Sequence, residues 1–495
     1  MHTEATGIRW AALVWLAART GRTDRVRISA TAVVSGVTTV FALAAVAVIN
    51  IGGNDGPYSS DLLMQPGLRV GVALGLIVFV ALLLVLTAQC ARIGAPARDR
   101  RFATYRLAGA TPYDVTRIAG VETALASGLG AALGALTFLI GKPLLNGLTT
   151  EFGSYTRERP LSRDTVVFEK VHGQLHLLPT DVHVAWWAVV VAVIGLTMIV
   201  GAVTQLAMRR VRIGPFGVAR RASQRIPRKT PALMFVIGTV FLALFSPLRA
   251  ALGMEADASR LLVVFVVLAT VVTSVGLLWG TAALAQMIGQ WAAARTSRAS
   301  VLIAGRRLAA SPFTASRTNS IILLVALVGG FIQGLRAYLM AVTSSAQDPF
   351  YATTMNFVNT ALGVAVVLAA VGVLVNTGET IVTARQTLSG LVAGGVPRGV
   401  LRRGLLLEAL LPLLPTIPLA ALAGVLASRG VFGTEHGESL GTVAHERVVI
   451  HVVPIPWVQL AMLSVGTLLA AALMAWIALL FVNASTDPGE LRTTA

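Results

Sequence analysis

Charge is scarce in this chain. Of its 495 residues, 13% are Asp, Glu, Lys or Arg and 55% are hydrophobic, and the mean hydropathy is +0.77. Soluble domains carry roughly a quarter charged residues, so the composition belongs to the membrane class. Cysteine is nearly absent. Cys90 stands alone, which excludes an intrachain disulfide framework and reads as a small packed hydrophobe. Lysine occurs only at Lys142, Lys170 and Lys229. A Walker-type phosphate loop needs Gly-Lys-Ser/Thr, because its backbone N–H groups and lysine hold the phosphates. Pro143 follows Lys142 and Val171 follows Lys170, and Lys229-Thr230 is preceded by Arg228 where glycine is required. The chain is therefore expected to bind no ATP itself. No Gly-x-Ser-x-Gly and no poised carboxylate pair is seen, so no enzymatic activity, catalytic residue or bound cofactor is expected. No metal is expected either. His172 and His176 would share one face of a helix, but no cysteine or second fixed pair completes a site. His436, His445 and His451 read, like them, as solvated loop histidines. Arg and Trp are mixed before the first apolar run, unlike a cleavable signal peptide.

Long apolar runs are plentiful. A membrane span needs about 20 mostly apolar residues. Such runs lie at about 28–50, 69–91, 118–141, 183–208, 231–252, 261–288, 319–343, 353–382, 404–428 and 455–482. Helices are predicted, since in lipid each segment must satisfy its own backbone. The formal net charge of +18 would suit nucleic acid, but the basic residues sit in clusters between the runs, as in membrane proteins. The richest clusters are Arg19 to Arg27, Arg92 to Arg106, Arg209 to Lys229, Arg295 to Arg307 and Arg385 to Arg403. They assign one side as cytoplasmic and place both termini there, in an inner or plasma membrane. The opposite loops, such as Arg157 to Asp164, are thinner in Arg and balanced by acid.

The chain repeats at an offset of about 285 residues. Leu107-Ala-Gly-Ala-Thr-Pro-Tyr-Asp-Val-Thr-Arg117 reads against Val392-Ala-Gly-Gly-Val-Pro-Arg-Gly-Val-Leu-Arg402, with Glu122 and Glu408 following, the second one residue late. Trp15 to Arg22 and Ile303 to Pro312 are basic, partly apolar stretches before spans, suited to helices lying in the interface. The expected organisation is a four-span unit over 1–208, a basic linker over 209–230, a two-span connector over 231–290, a second four-span unit over 291–483 and a tail over 484–495. Duplication of this kind is common in transporters. The spans carry little midplane charge, since Glu122, Glu379 and Glu408 lie near the basic side and Arg336 can snorkel outward. That disfavours an ion-coupled secondary transporter.

The segment Arg100 to Glu122 resembles the FtsX-like (MacB-like, mechanotransmission-type) permeases of ABC transporters: an Arg-rich helix, Leu-x-Gly-Ala-Thr-Pro, Val, Arg, an apolar run and a Glu. Arg385 to Glu408 is a weaker match, with Gly395 and Val396 in place of Ala-Thr. The 4 + 2 + 4 layout is similar to the long, ten-span, single-chain members. The chain departs from well-known members in having short loops, about 51–68 and 344–352, where those carry a large extracellular domain.

The resemblance implies an all-α integral membrane permease, without its own ATPase, that couples hydrolysis by a separate cytoplasmic ATPase dimer to export or extraction of a hydrophobic lipid, lipopeptide or antibiotic. A non-transporting regulator relaying ATPase motion to an outer partner is the alternative. Segments 96–113 and 384–399 would be the coupling helices. Phe102 with Tyr105, and Leu388 with Leu391 and Val392, have the spacing of apolar knobs, accompanied by Arg98, Arg101, Arg106 and Arg385. Gly109 and Gly394 would end these helices, Pro112 and Pro397 would start the next, and Glu122 and Glu408 would act as latches toward arginine or backbone donors.

Overall fold

The computed structural model describes residues 22–52, 58–59, 61–64, 66–91, 101–105, 107–162, 165–209, 227–251, 259–342, 349–440 and 447–480. Two bodies divide the chain after Arg220.

In the first body, α1 (Arg22–Ile49), α3 (Pro66–Cys90), α4 (Pro112–Thr149) and α5 (Trp186–Arg209) form a bundle, with the single-turn α2 (Asp61–Met64) ahead of α3. Helix α1 packs on both α3 and α4, and α4 packs on α5. Glycine permits the closest approach. A Cβ on Gly130 would stand 2.0 Å from the carbonyl oxygen of Ala32, and one on Gly134 would stand 2.2 Å from that of Gly36. In lipid there is little hydrophobic drive between helices, so such small-residue contacts carry the packing. Helix α4 runs 38 residues, nearly twice what a span requires.

At the end away from the basic loops, α4 passes directly into β1 (Thr150–Ser162), which pairs antiparallel with β2 (Thr165–His176). The hairpin base is tied down. His176 accepts a hydrogen bond from the Ser59 backbone N–H at 3.0 Å, Tyr58 Oη donates to Asp181 at 3.0 Å, and Lys142 donates to the Val182 carbonyl. Arg69 donates to the carbonyls of Leu63, Ile51 and Met64 at 2.6, 3.2 and 3.2 Å, closing the turn between α1 and α3.

In the second body, α6 (Thr230–Ala251) and α7 (Ser259–Arg295) form a helical pair. They are followed by α8 (Ala299–Ala310), α9 (Pro312–Val342), α10 (Pro349–Thr383), α11 (Arg385–Ala393), α12 (Arg398–Leu410) and α13 (Leu413–Phe432). The chain continues through β3 (Glu435–Leu440) and β4 (Arg447–Val452) to α14 (Trp457–Leu480). The tightest pair is α9 with α13, where a Cβ on Gly330 would stand 1.9 Å from the Ala421 carbonyl and one on Gly424 would stand 2.0 Å from that of Leu327. The connector helices α6 and α7 pack on this same pair, so they belong to the second body. Helix α8 meets α7 backbone to backbone through Gly305 and Gly289 and also lies against α12. The earlier basic stretch, Trp15 to Arg22, lies almost wholly outside the described residues.

Among the described residues nine helices are long and apolar enough to cross a membrane, and a shorter apolar stretch, Thr230–Phe245, lies in α6. All ten predicted runs are thus helical, and the chain is a multi-pass membrane protein of about ten spans. The side chains turned outward are those of a lipid-facing surface: Leu129, Val191 and Met462 are 65%, 61% and 69% exposed. Trp186, Trp187 and Trp457 open α5 and α14 facing outward, where an aromatic belt stands. The hairpins are the one addition to the all-helical expectation. Each falls in the loop between the third and fourth spans of its bundle.

Candidate functional site

At the basic end of each body the chain makes a short helix, a left-handed glycine turn and a new helix. In the first, residues 101–105 are helical. The Ala108 N–H donates to Thr104 at 3.0 Å and the Ala110 N–H to Tyr105 at 2.9 Å across Gly109, whose φ is +96°. Only glycine adopts that conformation without strain. Thr111 then caps α4 reciprocally. Its hydroxyl accepts from the Asp114 N–H at 3.1 Å, while the Asp114 carboxylate accepts the Thr111 N–H at 3.1 Å and its hydroxyl at 2.6 Å. This is a capping box with Pro112 as the first helical residue.

The second turn follows the same plan. The Gly394 N–H donates to Gly390 at 2.9 Å, the Gly395 N–H to Val392 at 3.0 Å and the Val396 N–H to Leu391 at 3.0 Å. Gly394 does end α11, as expected, but with a φ of −77°. The left-handed residue is its neighbour Gly395, with a φ of +86°. Helix α12 follows Pro397 with no side-chain cap.

Aligning the two turns on Gly109 and Gly395 shifts the register one residue from the proline alignment. In that register Phe102 corresponds to Leu388, Tyr105 to Leu391, Val115 to Leu401, Ala119 to Leu405 and Glu122 to Glu408. The displacement of the second glutamate therefore disappears. Each set packs as a small cluster: Phe102, Val115, Ile118 and Ala119, with Tyr105 and Ala110 at its margin, in the first, and Leu388, Leu401 and Leu405, with Leu391, Val392 and Val396 at its margin, in the second.

The expectation that these side chains are outward knobs is altered by their burial. Phe102 and Leu388 are each 1% exposed, and they fasten the short helix to its own span. The residues standing outward are Leu107, at 79%, and Tyr113, at 63%, with the Arg117 guanidinium 5.5 Å from the Tyr113 ring centroid. In the second turn the exposed residues are Ala393, Gly394, Gly395, Pro397 and Arg398, and Arg385 is half-buried at the start of α11. Arg98 and Arg106 lie outside the described residues.

Both glutamates hold arginine. Glu122 is 2% exposed and accepts from Arg27 of α1 and, on its other oxygen, from Arg101 Nη2 at 2.8 Å. Arg27 is itself 1% exposed. One carboxylate thus joins the first span, the short helix and the third span. Glu408 accepts from Arg307 Nε of α8 at 2.6 Å, joining α8 to α12. Arg101 lies in the segment from which an arginine partner was expected, whereas Arg27 and Arg307 were not foreseen as partners. Their signal was their place among the clusters at span ends, which orientation alone had explained. His172 and His176 lie on strand β2, opposite Ser154 and Thr150, and not on a helix. Among the described residues no three His, Cys, Asp or Glu gather to hold a metal ion.

Residues 71–215 match the family model of the FtsX-like permease C-terminal domain. This segment is FtsX-like. No curated protein and no solved structure matches the chain. The FtsX-like segment contains most of α3, the Gly109 turn, Glu122, α4, the β1–β2 hairpin and α5. The likeness of the Gly395 turn to it rests on the shared left-handed glycine, cluster and glutamate described above.

Proposed function

We propose that the chain is the membrane permease subunit of an ABC transporter, with the Gly109 and Gly395 turns docking on a separate cytoplasmic ATPase dimer and the basic end facing the cytoplasm. The observation that carries this reading is the three-way junction at Glu122. A push on the exposed turn reaches Arg101, and through the shared carboxylate it reaches both the first and third spans. The two turns in one chain match the two-fold symmetry of an ATPase dimer, so the two bundles are read as copies of one unit. They are unequal copies. Helix α4 is continuous from turn to hairpin, whereas Pro412 separates α12 from α13. A proline there lacks the N–H that would bond the carbonyl of Glu408 and so bends the helix. The cargo class that suits lateral entry between exposed apolar helices is hydrophobic: a lipid, lipopeptide or antibiotic moved outward from the membrane.

A second reading, a regulator that relays ATPase motion to an outer partner, is favoured by the unbroken α4 leading straight into a hairpin of 13- and 12-residue strands. Reconstitution with the ATPase in proteoliposomes separates the two. A permease moves a fluorescent lipid or lipopeptide across the bilayer with ATP, and a regulator hydrolyses ATP without moving it. The purified chain alone is expected neither to bind nor to hydrolyse ATP, and stoichiometric ATP binding by it would refute both readings.

A further inference from the structure

Helix α7 is far longer than a span. Its 37 residues measure about 55 Å at 1.5 Å per residue, against about 30 Å of hydrocarbon. The excess lies at the basic end. A Cβ on Gly280 would stand 2.9 Å from the Ala232 Cα, at the start of α6. The Ser316 hydroxyl, near the start of α9, donates to the Leu278 carbonyl at 2.8 Å. Both of those helices thus begin beside residues 278–280, and α7 runs on past them to Arg295, roughly 20 Å farther. Helix α8 returns along this extension. A Cβ on Gly289 would stand 2.7 Å from the Gly305 carbonyl oxygen, and one on Gly305 would stand 2.7 Å from that of Gly289. The two helices make a hairpin that projects from the basic end of the second body.

The surface of this hairpin is basic and aromatic. No Asp or Glu occurs between Asp257 and Asp348. Arg295, Arg298 and Arg306 are exposed. The Arg295 guanidinium lies 5.2 Å from the Trp291 ring centroid, Trp291 is 58% exposed, and Met287, one turn before it, is exposed as well. A lipid belt does not account for Trp291. Trp279, on the same helix, already stands exposed at the level where α6 begins, and the headgroup layer beyond the hydrocarbon is about 5–7 Å thick. Trp291 lies about 18 Å farther along the helix, still about 14 Å at a tilt of about 40°. An exposed tryptophan beside arginines, clear of the headgroups, has the composition of a protein-binding hot spot.

The hairpin also adjoins the Gly395 turn. A Cβ on Gly404 of α12 would stand 3.3 Å from the Ser300 carbonyl oxygen of α8, and Arg307 of α8 holds Glu408 of α12. We propose that the elbow between α7 and α8 is a second footing for the ATPase subunit seated on the Gly395 turn, with Trp291 entering a pocket on that subunit rimmed by Asp and Glu. The acidic rim is what three exposed guanidiniums without a neighbouring acid select. This footing rests on the docking reading above and deepens it. Among the described residues the first body has no counterpart of α6 and α7, so the two ATPase subunits are held unequally.

Photo-crosslinking in living cells tests it, with benzoyl-phenylalanine placed at Gln290, which is exposed beside Trp291, and separately at Leu107. The Gln290 position is expected to capture an ABC ATPase. Arg295→Glu combined with Arg298→Glu should cut that capture about tenfold or more, while capture from Leu107 in the same charge-reversed chain is kept and shows that the chain is folded. Capture of lipid alone from Gln290, or of no ATPase there while Leu107 captures it, overturns the second footing and leaves the docking reading standing. Undiminished capture from Gln290 in the charge-reversed chain overturns the acidic pocket. No ATPase from either position overturns both the footing and the docking reading.

Discussion

At the scale of single residues, the burial of Glu122 with Arg27 decides what the site can tolerate. Both side chains are 1% exposed. Two charges withdrawn from water are held only by each other and their remaining hydrogen bonds, and removing one partner of such a pair costs about 3–5 kcal/mol. Glu122→Ala is therefore expected to lower the unfolding temperature of the purified chain markedly. Glu408→Ala should cost less, because Arg307 is 23% exposed and can turn to water. Thermal unfolding in detergent, followed by tryptophan fluorescence, compares the two; equal losses would contradict the account. The glutamates were legible in the sequence as groups seeking arginine, since a carboxylate about a turn inside the membrane face needs a partner. Which arginine was not legible, because Arg27 and Arg307 come from elements distant in sequence.

At the scale of elements, the close helix pairs depend on glycines that tolerate no Cβ. Gly330→Ala would set a methyl 1.9 Å from the Ala421 carbonyl oxygen, so α9 and α13 must separate, and the folded yield and unfolding temperature should fall. Gly363, on the same bundle, has nothing within 4 Å of a built Cβ. Gly363→Ala should be neutral or stabilising by up to about 1 kcal/mol, the difference in helix propensity. If both substitutions behave alike in a size-exclusion thermostability assay, glycine packing is not what holds these helices. Apolar runs made the helices easy to read, because length and hydropathy suffice for a span. The hairpins were harder. The segments 142–182 and 429–454 contain charge, proline and glycine, and were readable only as outer loops. Pairing across a two-stranded ribbon is a tertiary choice. The one-residue slip between the turns was hidden for a related reason: aligning on proline is natural by eye, but the backbone aligns on the residue with positive φ.

At the scale of the molecule, the account rests on which end faces the cytoplasm and on what meets it there. We propose from the Arg run Arg209 to Lys229 that the basic end is the inner one. Single cysteines introduced at Ser162 and Ser223 test this, with little background because Cys90 is buried. Ser162→Cys should react with an impermeant maleimide in intact cells, and Ser223→Cys only after permeabilisation. The reverse pattern would invert the whole reading. The central claim is that the exposed face of the Gly109 turn, and not its buried side, is where an ATPase docks. Photo-crosslinking from a benzoyl-phenylalanine placed at Leu107, and separately at Phe102, in living cells measures this directly. The account predicts that the Leu107 position captures a polypeptide whose peptide masses identify it as an ABC ATPase, and that the Phe102 position captures none. Capture from Phe102 alone, or no ATPase from Leu107 while the chain is present in the membrane at its normal level, would contradict it.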